Sequence, residues 1–175
     1  DGYDVINDIT LDDLDMNSPA ITGIHYFEYS DGYKRLLVFV GNKLKWDNGA
    51  LWTTVSGTAT ITSSQNSQWQ CALALDNAVC TNDADVPIKI SSTPTKSVLD
   101  TSDLSDALTK AKAVIWYRNY LIFGNLVEAT VERPTRFRWA DIGTIETYDD
   151  DNYIDISSLG GDEIIGFAEL YGDLY

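Results

Sequence analysis

The chain has 175 residues, 44% of them hydrophobic, which is enough apolar material for a buried core and excludes a disordered chain. Twenty-seven acidic residues against 12 Lys and Arg leave a formal charge of −15. This excludes a surface that grips nucleic acid by neutralising phosphates, although an acidic wall suits a conduit along which DNA slides without sticking.

Residues 1–20 read as an acidic lead-in or the end of a preceding element. They lack the basic, then apolar, pattern of a signal peptide. Strands are predicted where runs of Tyr, Trp, Phe, Val, Ile and Thr lie between Gly, Asn and Asp: 24–29, 35–40, 51–55, 58–62, 69–75, 114–117, 120–123, 136–139 and 153–156. Asp31 with Gly32, Gly41 with Asn42, and Asn48 with Gly49 tolerate the positive φ of tight hairpin turns. The Ser-, Thr- and Pro-rich stretch 90–101 reads as a loop that crosses from one unit to the next. Residues 102–112 are the one helical candidate, with Ser102 or Asp103 as the cap, and would form a short connector between sheets. No apolar run approaches the ~18 residues of a membrane span. The chain opens on Asp1 rather than Met and closes in a predicted strand at Leu174 and Tyr175, so it is expected to be a segment of a longer protein.

A weak repeat organises these elements. An apolar strand enters a polar turn and leaves as a second apolar strand four times, with turns at Asp31 and Gly32, Asp76 and Asn77, Arg118 and Asn119, and Gly172 and Asp173. The turns fall about 45 residues apart, the last gap being longer, a spacing that suits four short strands per unit. The expected fold is all-β, made of antiparallel four-stranded blades as part of a β-propeller. The units would be 21–64, 65–101, 102–157 with the helical connector, and 158–175 as the start of a further blade. An ordinary sandwich or barrel is the alternative.

The chemistry-bearing residues are few. His25 is the sole histidine, which excludes a multi-histidine metal site and leaves a Ser or Cys nucleophile without its usual base; within an apolar strand it reads as structural. Cys71 and Cys80 flank a predicted hairpin and could bond, but free buried thiols are the expectation. The clusters Asp149, Asp150, Asp151, Asn152 and Asn82, Asp83, Asp85 fit no EF-hand spacing and read as solvated turns, with calcium or paired-carboxylate hydrolysis as alternatives. Trp46, Trp52, Trp69, Trp116 and Trp139 could stack on sugars but equally pack between blades. Arg133, Arg136 and Arg138 read as surface ion pairs of little stability value. No catalytic, metal-binding or cofactor-binding residue is assigned, and no enzyme activity or cofactor is expected.

Residues 111–175 carry a resemblance. Val114 to Gly124 form a hairpin, followed by Arg133, Pro134, Thr135, Arg136, Phe137, Arg138, Trp139, Ala140, Asp141, Ile142 and Gly143, an acidic loop and strand at 149–156, and then Gly161, Asp162 and 164–175. This resembles the propeller blades of tailed-bacteriophage tail proteins, especially the nozzle or hub proteins of short-tailed phages. The segment 72–90 resembles the preceding blade, whereas 41–64 matches no phrase of the family. The resemblance implies a virion structural protein that oligomerises into a ring at the tail, contributes to the DNA channel used in ejection, and docks adaptor or fibre proteins. It carries over no catalytic residue; Gly143 and Gly161 would be turn positions, and Trp139 and Phe167 core. A carbohydrate-binding propeller or lectin-like module and a propeller glycosidase are the alternatives.

Overall fold

A computed structural model describes residues 20–47, 51–62, 67–156 and 162–175. The lead-in 1–19, the turn at Asn48 and Gly49, and Gly161 lie outside the described residues. Among the described residues the regular structure is β throughout.

Strands β1 (Ile21–Glu28), β2 (Lys34–Val40), β3 (Lys43–Asp47) and β4 (Trp52–Thr54) form an antiparallel meander. Strands β6 (Gln70–Ala74), β7 (Asn77–Thr81), β8 (Ile88–Ser91) and β9 (Thr95–Val98) form a second, and β5 (Ser56–Gly57) joins its far edge parallel to β9. The third is β10 (Leu108–Tyr117), β11 (Tyr120–Glu128), β12 (Val131–Trp139) and β13 (Tyr153–Asp155). Finally β14 (Glu169–Leu170) and β15 (Asp173–Leu174) make a two-stranded hairpin.

All four predicted hairpins are present. Positive φ at both central residues marks three of the two-residue turns, at Leu75 and Asp76, Arg118 and Asn119, and Tyr171 and Gly172, as tight hairpins require. Two of these sit one residue earlier than the polar residues suggest. In the second sheet Ala74 pairs with Asn77, which forces Leu75 into a left-handed conformation that a bulky side chain disfavours. Core register explains the choice, because a one-residue slip would turn every side chain of β7 to the opposite face.

That register makes β7 a two-sided strand. Ala78 and Cys80, beside their β8 partners Ile90 and Ile88, join Leu37, Phe39, Leu44 and Trp69 in the core between the first and second sheets. Val79, facing the other way, joins Ala111, Val114, Leu121, Phe123 and Leu126 between the second and third. Each fully buried side chain of this size contributes about 1.5–3 kcal/mol, and Phe39 stacks on Trp69 at 4.3 Å between ring centroids. The second sheet is therefore covered on both faces.

Several expectations are corrected. Residues 102–112 form no helix: Asp100 accepts a hydrogen bond from the Ser102 amide, Leu104 N–H closes a turn onto Thr101, and β10 starts at Leu108. Burial of Leu108 and Ala111 against β11 outweighs the modest helix preference of the Ala-containing stretch. The predicted loop 90–101 contains a hairpin, β8 to β9, whose polar outer strand lacks an apolar signature. β3 was not predicted because Lys43 and Lys45 interrupt its apolar pattern. Residues 58–62 form no strand, yet Ala59 and Ile61 are buried in the core.

Candidate functional site

The first strands of the meanders lie side by side, β1 against β6 and β6 against β10. A groove of about 500 Å³ runs over them, lined by His25, Gln70, Cys71, Ala72, Leu73, Val114, Ile115, Trp116 and Phe167. None of these is acidic, although the chain carries a charge of −15. His25 is the lone imidazole of the groove, and its Nε2–H donates to the Trp69 carbonyl at 2.9 Å while its ring centroid lies 6.2 Å from that of Phe27, stacked, and 6.2 Å from that of Phe39, edge-on. Burial pushes its pKa below the usual histidine value, against the Trp69 hydrogen bond, which acts in the other direction. The imidazole is thus tied to a backbone carbonyl, and none of the groove's lining residues is a carboxylate or carries a hydroxyl.

Cys71 and Cys80 form a disulfide, contrary to the expectation of free thiols. They are directly opposite in the β6–β7 register, with Cα atoms 4.1 Å apart. The two-residue turn produces that pairing, so the decisive signal was the hairpin's loop length rather than the cysteine count.

The arginine reading is also corrected. Glu128, at the end of β11, is 3% exposed and accepts Arg136 Nη1 and Arg138 Nε on its two oxygens, each at 2.7 Å. Arg136 forks onto Asp155 of β13 at 2.8 and 2.7 Å, and its guanidinium lies 3.7 Å from the Tyr153 ring centroid. Arg138 reaches the Asp149 carbonyl at 3.0 Å. Residues 136 and 138 share one face of β12 because side chains repeat every two residues, and both are buried; Arg133 stays half-exposed, 3.9 Å from Glu128. This clamp joins β11, β12, β13 and the acidic loop. Its centre, Glu128 with Arg136 and Arg138, is buried and not a surface pair, whereas Arg133 and Asp155 stay at the surface.

The acidic clusters serve as turn locks. Asn82 Oδ1 accepts the amides of Ala84 and Asp85, and Asp85 accepts the Thr62 amide and hydroxyl. Asp149 accepts the Asp151 amide, Asp150 accepts the Ser105 amide, and Asn152 donates to Asp141. Among the described residues no group of three or more His, Cys, Asp or Glu side chains is arranged to hold a metal. The tryptophans are likewise engaged: Trp52 and Trp69 are buried, Trp46 faces the Arg35 guanidinium at 4.8 Å, Trp139 lies beside Phe137, and Trp116 packs on the core at the groove.

The last hairpin is seated on the third sheet. Gly124 lies under Phe167 and Ile164, where an added Cβ would come within 2.7 Å of the Phe167 ring. Glu163 is held by Lys112 at 2.7 Å and Asn125 at 2.9 Å, and Tyr117 Oη–H donates to the Gly172 carbonyl at 2.5 Å. Phe167 is half-buried, as is Trp139, and Gly143 occupies a turn at φ 73°. No family model matches the chain, and no curated protein does so either.

Proposed function

We propose that the chain is a run of β-propeller blades and a structural part of a bacteriophage tail, of the nozzle or hub kind, rather than an enzyme. The observation that carries this reading is the stacking of successive hairpin-led meanders: the second sheet is covered on both faces, the three first strands are adjacent, and a fourth hairpin rests on the third sheet. A radial array needs sheets that present an apolar face to each neighbour and a first strand to the axis. Here β1, β6 and β10 would face that axis.

The residues that carry the tail-protein resemblance do architectural work, which supports the same reading. Arg136 and Arg138 clamp the sheet, Ala140 is buried, and Asp141 and Gly143 form the turn that meets the β10–β11 hairpin through Gly143 N–H and the Asn119 carbonyl. In this role the protein assembles into a ring in the virion tail, and its net acidity keeps passing DNA from adhering during ejection. Adaptor and fibre proteins dock on its outer surfaces.

Quantitative peptide mass spectrometry and antibody labelling of tailed particles from the natural source test the proposal. The expected result is a fixed copy number per particle with label at the tail tip. Recovery of the protein only as a free species, with sugar-dependent quenching of its tryptophan fluorescence, would instead favour a glycan-binding module.

A further inference from the structure

We propose that Cys71 and Cys80 form a sided redox pair, in which Cys71 is the sulfur that exchanges with small thiols of the glutathione class and Cys80 is the sulfur that reseals the bond. The two residues are bonded and pack on the same core but differ in exposure: Cys71 is half-buried and also lines the groove over the first strands. Cys80 is 0% exposed, in the core with Ala78, Ile88, Ile90 and Trp69. Thiol–disulfide exchange requires a thiolate to reach one sulfur while the other leaves, so access decides which sulfur is attacked.

A small thiolate entering from the groove attacks Cys71 Sγ. The S–S bond breaks and its electron pair departs on Cys80 Sγ, a step slowed by the apolar site, which disfavours the thiolate; Cys80 is then protonated as local opening of the core admits water. The products are a mixed disulfide on Cys71 and a buried Cys80 thiol. Resealing is the reverse: Cys80 loses its proton, attacks Cys71 Sγ, and the small thiolate leaves. The register holds the two Cα atoms 4.1 Å apart, so the return step is intramolecular and favoured by proximity. None of the groove's lining residues is Lys or Arg, so the preference for Cys71 rests on access and not on a cation that activates the thiol. This inference stands apart from the tail assignment, because it uses only the hairpin and the groove.

The test uses the full chain and oxidised glutathione. In Cys80→Ala, Cys71 is expected to form the mixed disulfide while the protein stays folded. In Cys71→Ala, Cys80 is expected to react about a hundredfold more slowly, at the rate at which the core opens. Treatment of the unaltered protein with reduced glutathione, acid quenching and peptide mapping should place the adduct on Cys71, and this decides the matter if either variant fails to fold. Equal rates in the two variants, or an adduct on Cys80, would each overturn the proposal; because Cys80 reseals the bond, the adduct on the unaltered protein is expected only in the early quenched samples.

Discussion

Glu128 is the residue on which the third sheet's polar organisation depends. Its carboxylate faces two buried guanidiniums, and removing one partner from such a pair leaves uncompensated charge in a poorly solvated site. Glu128→Gln is expected to cost about 3–5 kcal/mol, read as a lower midpoint in urea denaturation. Asp155 is a contrasting case: it is half-exposed, so Asp155→Asn should cost only the ~0.2–1 kcal/mol of a solvent-facing pair. The Arg136 hydrogen bonds hold the Asp155 pKa below the usual carboxylate range. Its contribution is therefore complete above the ordinary Asp value of about 3.9 and is lost as pH falls through the depressed folded value. The stability difference between the two proteins should accordingly shrink in acid. His25 has the same sign of dependence in a different window. Its lowered pKa means that the unfolded chain takes up a proton near pH 6.5 while the folded chain does not, so stability declines as pH drops from there toward the folded value. As the sole histidine, its replacement in His25→Gln should flatten that part of the stability profile.

At the scale of elements, the segment leading into β14–β15 makes its close approach to the third sheet at Gly124, while Tyr117 and Arg118 hold the hairpin through the Gly172 carbonyl. Gly124→Val places atoms where the Phe167 ring and the Ile164 side chain already sit, an overpacking that costs about 1–3 kcal/mol. Hydrogen exchange should show protection falling across 164–174 while β11 and β12 remain protected; unchanged protection in that segment would mean the seat is not at Gly124. The hairpins themselves were legible in the sequence because apolar runs and turn residues coincide there, as at Arg118 and Asn119. β3 and β9 were not: β3 carries lysines and β9 is polar, so each is held by its ladder partners and shows no apolar pattern of its own, whereas the edge strands β4 and β13 fall within the predicted runs 51–55 and 153–156. The helical reading of 102–112 failed for a related reason: local propensity is weak where a long partner strand such as β11 is available. The clamp was missed because burial of Arg136 and Arg138 depends on Glu128, eight and ten residues away on another strand.

Across the whole molecule, the distribution of charge and apolar surface agrees with a modular stack. Two cores lie between three sheets, and the groove over the first strands is free of carboxylates. Contacts between hairpin turns also link successive units: Ser30 donates its amide to Asp76 at 2.8 Å, and Arg118 donates to the Gly172 carbonyl at 2.8 Å. The measurement that tests the central claim most directly is electron cryomicroscopy of the full-length protein from its natural source, with the sheets traced and the rotational symmetry classified. The account predicts four-stranded sheets arranged radially at a tail tip, with β1, β6 and β10 nearest the axis. Sheets stacked as a flat sandwich with no common axis, in a particle free of any virion, would contradict it.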